Sequence, residues 1–268
     1  MSAMNLDELL VAVRNHPENL SIPASWGQGR ACFGGLMAAL VHETMCLKVG
    51  GDRPVRSLAI TFVGPAVPEM PIRFDAEVLR EGKAVTTVLG RAVQAGQMVT
   101  LVQGSFGESR ASEVQVGAGS ATPIKPLAEA TPELPYIAGV TPAFMRHVSL
   151  RWALGGLPFS GNDSREMGGW VRLRDVAKAP LSVGHLLALV DAWPPSVLPI
   201  LSKPAAGSTL SWTIEFVQPI PEVSTSDWCQ YRVETEHAKD GYGHAAARLS
   251  SADGRLLALS RQTVTVFA

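Results

Sequence analysis

The chain reads as an α+β protein built from two fused copies of one unit, each an apolar helix followed by a long antiparallel meander. Three observations carry this reading. Gly35-Leu36-Met37-Ala38-Ala39-Leu40-Val41-His42 is answered 149 residues later by Gly184-His185-Leu186-Leu187-Ala188-Leu189-Val190-Asp191. The strand patterns that follow both close on Phe-Val-x-Pro, at Phe62-Val63-Gly64-Pro65 and, 154 residues on, at Phe216-Val217-Gln218-Pro219. Each is succeeded by further strand patterns separated by Gly-containing turns. Self-similarity of this kind is the mark of a repeated structural unit. The copies differ at one chemically loaded position, where His42 in the first stands opposite Asp191 in the second.

In chain order, Leu6, Leu9, Leu10 and Val13 recur at helical spacing and predict a short opening helix. Phe33-Gly34-Gly35 opens the first long helix, to about Val49, whose small and apolar residues predict burial on most sides. Strands follow at about 55–63, 71–80, 84–94 and 97–106, with turns at Glu81-Gly82-Lys83 and Ala95-Gly96-Gln97. Residues 107–142, rich in Ser, Ala, Gly, Thr and Pro, read as a linker, dividing the chain into units 1–106 and 143–268. The second unit begins with strand-like runs at about 144–153 and 168–174, then a helix from about Ser182 to Asp191 and onward that Pro194 and Pro195 should end or kink. Strands at about 208–218, 227–238, 242–251 and 255–267 complete it, with Ala252-Asp253-Gly254 as a hairpin turn.

Composition narrows the function classes. At 268 residues the chain can bury roughly 70–75% of its unfolded surface. With 46% hydrophobic residues, 18% charged residues and a net charge of -1, it lacks the electrostatic footprint of a nucleic-acid or anionic-lipid binder, and a small neutral or anionic ligand fits better. No apolar run approaches the ~18 residues of a membrane span, and the first residues carry no leader pattern, so a cytoplasmic protein is expected. Cys32, Cys46 and Cys229 form neither a disulfide framework nor a zinc pattern and are expected to be reduced core or near-core thiols. Gly27-Gln28-Gly29-Arg30-Ala31-Cys32 breaks the dinucleotide fingerprint at Cys32, and no Gly-x-Ser-x-Gly elbow offers a serine nucleophile. His237 and His244 show no third ligand, so no metal is expected.

A helix followed by an antiparallel meander suggests the hotdog arrangement, and two such sheets laid edge to edge make a double hotdog. Phe33-Gly34-Gly35, Gly169-Trp170-Val171-Arg172-Leu173-Arg174 and Leu189-Val190-Asp191-Ala192-Trp193-Pro194-Pro195 resemble the type II acyl-CoA thioesterases and related thioesterase-like double hotdogs over nearly the whole chain. The resemblance implies hydrolysis of an acyl-CoA thioester in fatty acid metabolism, without a metal or organic cofactor. It also implies a water held by Asp191, Thr209 and Gln262. Where that family often reads Gln-Glu-Gly in its last strand, this chain has Gln262-Thr263-Val264.

Each candidate also has a structural reading. A carboxylate beside a buried helix face, as at Asp191, can orient a water and take its proton, or it can simply point outward. Thr209 and Gln262 supply a hydroxyl and an amide that bind a water without acting as bases. Ser208, Ser211 and Thr213 are alternatives to Thr209, because a slip of one residue turns a strand side chain to the other face. Gln262 also reads as a buried glutamine bonded to backbone. Gly34 and Gly35 read either as close packing or as backbone amides aimed at the substrate's developing oxyanion. His42 reads as a hydrogen-bonded core residue rather than a second catalytic group. Two other functions share the fold: a non-catalytic acyl-CoA binding module, and a hydratase or dehydratase, which would want an acid and a histidine in one motif. A homo-oligomer is compatible with all three.

Overall fold

The computed structural model describes residues 4–51, 53–119 and 123–267. Its helices are α1 (Leu6–Asn15), α2 (Gly34–Cys46) and α3 (Val183–Asp191). The longer strands are β1 (Val55–Phe62), β2 (Pro71–Glu81), β3 (Val85–Gln94), β4 (Gln97–Gly107), β5 (Val148–Leu154), β6 (Glu166–Leu173), β7 (Ala206–Phe216), β8 (Cys229–Lys239), β9 (Tyr242–Ser251) and β10 (Leu256–Phe267). With the short strand Leu20–Ser21 they form one 11-stranded sheet, ordered Leu20–Ser21, β2, β3, β4, β1, β7, β10, β9, β8, β6, β5.

The order is the same in both directions from its middle. Reading outward from β1, and again from β7, come the last, third and second strands of each meander. The halves join where β1 and β7 pair antiparallel, from Ser57 opposite Glu215 to Thr61 opposite Ser211. Each meander follows its own helix, and α2 and α3 pack against one another.

The all-round apolar sequence of α2 has the consequence expected of it: every residue from Gly35 to Met45 is buried. Each large apolar side chain so buried stabilises the fold by roughly 1.5–3 kcal/mol. The sheet comes close to this helix because β3 and β4 present glycines beneath it. A Cβ on Gly90 would meet Val41 Cγ1 at 2.5 Å, and one on Gly104 would meet Met45 Cε at 2.6 Å. Aromatic stacks lock the halves together, with Trp26 over His147 at 3.9 Å and Phe33 over Phe144 at 4.1 Å between centroids.

Three expectations shift in detail. The strand expected at 144–153 begins at Val148, because Pro142 starts a 3₁₀ turn over Ala143–Arg146. The second half of the expected linker is docked, its Ile124, Leu127 and Ala130 packing with Ala153, Trp170 and Trp228, and Trp170 Nε1 donating to the Lys125 carbonyl at 3.0 Å. Finally, α3 does not run onward: it ends at Asp191, since the residue before a proline disfavours helical backbone and Pro194 follows closely. That stop places Asp191 at a helix end facing the start of α2.

Candidate active site

Asp191 lies against the first turn of α2. A Cβ on Gly34 would sit 2.8 Å from Asp191 Oδ2, and one on Gly35 would sit 2.9 Å from both Asp191 Cβ and the Leu187 carbonyl oxygen. Only glycine lets the two helices approach this closely. The first amides of a helix have no intrahelical acceptor, and the Gly35 N–H donates to the Asp191 carboxylate. From the sheet, Gln262 Nε2 donates to Asp191 Oδ1 at 2.9 Å. Burial pushes the carboxyl up from its ordinary 3.8 to about 7, and the bonds from Gln262 and Gly35 pull it back only in part. Both partners are neutral donors. They orient the charge without compensating it, which leaves a carboxylate able to take a proton near neutral pH.

The register of β7 sorts the hydroxyls by face. Side chains directly opposite one another in an antiparallel pair share a face. Trp212 is opposite Gln262 and Thr209 is opposite Val264, while Ser211 is opposite Thr263, so Leu210 is an inserted bulge residue. The bulge restores Thr209 to the inner face shared by Trp212 and Gln262. Ser208, Ser211 and Thr213 pair with Thr265, Thr263 and Arg261 and lie on the other face. The structure thus brings Asp191 and Gln262 into contact and puts Thr209 on their face of the sheet. Among the described residues, Thr209 makes no side-chain hydrogen bond to either. Gly34 and Gly35 lie against the carboxylate, and the Gly35 amide donates to it.

Two neighbours of the site were not singled out from the sequence. Tyr231, on β8, is buried and stacks on Trp193 with centroids 5.0 Å apart and planes 8° from parallel. Its phenol is pushed above its usual range by burial and by the negative charge of Asp191, so it stays protonated. Trp193 also packs against Trp152 at 4.8 Å, and its buried Nε1 has no acceptor among the described residues. The signal for Trp193 lay in the Asp191-Ala192-Trp193-Pro194-Pro195 run, whereas Tyr231 was one aromatic in an ordinary alternating strand.

The matching place in the first half is built from opposite parts. His42 is buried, with Nε2 3.4 Å from Cys46 Sγ and Nδ1 3.6 Å from Glu43 Oε1. Arg14, reaching in from α1, donates through Nε to Glu43 Oε2 at 2.5 Å. Burial alone would pull the His42 imidazole down, but Cys46 and Glu43 outweigh it and carry it from 6.5 to about 9. Burial likewise opposes ionisation of Glu43, yet His42 and Arg14 hold its carboxyl below the usual range. No group of three or more His, Cys, Asp or Glu side chains among the described residues is placed to hold a metal ion. No helix among them is long and apolar enough to cross a membrane.

A large antiparallel sheet packed on two buried helices, one of them ending in a carboxylate, places the protein among hot dog folds, and solved structures agree. A hot dog protein of unknown function from Alicyclobacillus acidocaldarius superposes with a TM-score of 0.81 at 22% identity, covering 93% of this chain and 92% of that one. An acyl-CoA thioesterase II from Mycobacterium marinum superposes with a TM-score of 0.64 at 19% identity, covering 88% and 89%. Residues 22–107 match the acyl-CoA thioesterase N-terminal domain and residues 126–266 the acyl-CoA thioesterase C-terminal domain. The chain belongs to the acyl-CoA thioesterase family, and its chemistry is thioester hydrolysis. Acyl-CoA thioesterase 2 from Haemophilus influenzae is 24% identical over 250 residues, 87% of this chain and 86% of that protein.

Proposed function

We propose that the protein is a double hotdog acyl-CoA thioesterase with one hydrolytic site per chain, in which Asp191 activates water. Its repeats are 1–106 and 143–268, joined by 107–142. The observation that carries this reading is the Asp191 carboxylate, held by Gln262 Nε2 and the Gly35 amide and brought by burial to about 7. A water beside it loses its proton to Asp191 as its oxygen attacks the thioester carbonyl. The tetrahedral intermediate then expels coenzyme A as thiolate, which takes up a proton, and the acyl group leaves as the free acid. Gln262 and Thr209 hold the water, while Gly34, in the first turn of α2, offers its amide to the carbonyl oxygen where the helix end favours negative charge. The acyl group lies along the apolar face between α3 and the sheet, beside Trp193 and Tyr231.

Substrates are acyl-CoA thioesters of fatty acid metabolism, and no cofactor takes part. Free Cys32, Cys46 and Cys229 suit a reducing, cytoplasmic setting, and assembly into a homo-oligomer is compatible with this chemistry. The test is thiol release from a panel of acyl-CoAs by the wild-type chain and by Asp191→Asn, with thermal unfolding followed for both. Release that depends on Asp191 in a folded variant supports the reading. Tight acyl-CoA binding without release would make the protein a binding module instead.

A further inference from the structure

The cluster opposite Asp191 has the parts of a nucleophilic site that hydrolysis does not use. A nucleophile and a proton partner within hydrogen-bond reach, with a third group orienting the partner, is the general signature of covalent catalysis by a side chain. Cys46 Sγ and His42 Nε2 are 3.4 Å apart, and Glu43 Oε1 lies 3.6 Å from the other ring nitrogen. The place is also the architectural twin of the Asp191 site. There the glycine at the start of α2 abuts Asp191. Here Gly184, its counterpart at the start of α3, lies 3.6 Å from Glu43 Oε1, measured from the position a Cβ would take.

The ring is also held from the far side: Arg14 donates to Glu43 Oε2 while Glu43 Oε1 lies beside His42 Nδ1, so the carboxylate that orients the imidazole is itself anchored from α1. The Phe106 ring of β4 stacks on His42 at 6.1 Å, and Leu10 of α1 covers Gly184. Access is uneven among the three thiols. Cys46 is partly exposed at the end of α2, whereas Cys32 and Cys229 are buried and burial pushes each up to about 12.

We propose that Cys46 is an acyl acceptor, taking the acyl group of a small acyl-CoA by thioester exchange with His42 as its proton partner. Sγ attacks the thioester carbonyl and forms a new carbon–sulfur bond. The bond to the coenzyme A sulfur breaks, and that sulfur leaves with the proton Sγ gave up, relayed through His42. The products are S-acyl Cys46 and free coenzyme A, with no oxidant or reductant consumed. Only the choice of acyl donor rests on the thioesterase reading.

The experiment incubates the full-length Asp191→Asn chain, which spares the donor, with acetyl-CoA or hexanoyl-CoA and follows intact mass. Glutathione at equal concentration is the reference thiol. The expected result is one hydroxylamine-labile acyl group per chain, mapped to Cys46, formed at least about tenfold faster than on glutathione. Adding His42→Gln should slow labelling about tenfold or more, and adding Cys46→Ser should abolish it. Glu43→Gln serves as a second way to disturb the imidazole should His42→Gln fail to fold. Labelling no faster than glutathione, labelling mapped elsewhere, or indifference to both the His42 and Glu43 changes would overturn the proposal. Failure of the wild-type chain to release thiol beyond one equivalent per chain would sink the hydrolytic reading alone, because the single equivalent that accompanies adduct formation at Cys46 is scored separately by mass.

Discussion

The Asp191 and His42 sites occupy matching places on the two central helices, and what separates them is how their charge is answered. Asp191 meets only neutral donors, an amide side chain and a backbone N–H, so its ionised form is oriented but expensive. Glu43 meets a guanidinium and an imidazole, and its ionised form is held. The lesson is that burial raises a carboxyl when charge compensation is withheld, and that the same group is held ionised when it is supplied.

The largest expected effect comes from neutralising Asp191. Asp191→Asn should lower kcat by roughly 10²–10⁴ through loss of the base. Its folded pKa lies above the unfolded 3.8, so keeping it ionised weighs against the native state, not at all below 3.8 and fully above about 7. The variant should therefore melt a few degrees higher than wild type at pH 8 and no higher at pH 3.5. For the wild type, kcat/KM should climb with pH through about 7 and then level. Near-normal turnover by Asp191→Asn would remove the mechanism.

Next comes a matched pair of glycine substitutions. In Gly35→Ala the new methyl would lie 2.7 Å from Phe33 Cζ and 2.9 Å from Asp191 Cβ and the Leu187 carbonyl, so backbone must move. A loss of about 1–3 kcal/mol in stability, with a tenfold or greater fall in kcat, is expected. In Gly184→Ala the nearest atoms are the mobile methyls of Leu10 at 3.0 and 3.2 Å, so melting should shift little and thiol release should persist. Equal effects at both positions would mean that the contact between α2 and Asp191 has no special part in turnover.

A smaller effect tests whether Thr209 and Gln262 act on one water. Each alanine variant should lower kcat/KM, and the double variant should lose less than the product of the two by a factor of about 5, on the order of 1 kcal/mol of coupling. Independent losses would reduce Gln262 to an orienter of Asp191 and leave Thr209 outside the site. The smallest effect concerns His42. Its folded pKa of about 9 exceeds the unfolded 6.5, so its stabilising contribution is complete below 6.5 and lost as pH rises through 9. Across that interval the wild type should lose a few degrees of melting temperature that His42→Gln does not lose, measured by calorimetry.

Much of this was legible beforehand because hydrophobic period and internal likeness are local signals. The apolar run of α2, the strand pairs and the place of Asp191 after Val190 all follow from spacing. The contact of Gln262 with Asp191 could be read only through the family resemblance, since they are 71 positions apart. The face on which Thr209, Ser208, Ser211 and Thr213 lie depends on the bulge, and nothing in the local residues announces an inserted Leu210. The Cys46–His42–Glu43–Arg14 cluster was hidden for another reason: its cation arrives from α1, far along the chain, and turns an isolated histidine into part of a charge network.

The bulge at Leu210 also bears on how such a strand can change over generations. Below it, β7 is committed to the seam, its residues Ser211–Glu215 locked against β1. Above it, the strand carries Thr209 and pairs with β10 alone, over Ala206–Thr209. One unpaired residue between the two stretches acts as a phase shifter, so gaining or losing a residue there could re-aim the upper stretch without rotating Trp212 out of the core. Chain length, and not only side-chain identity, is then a variable by which this lineage can exchange the side chain it presents on the inner face of the sheet.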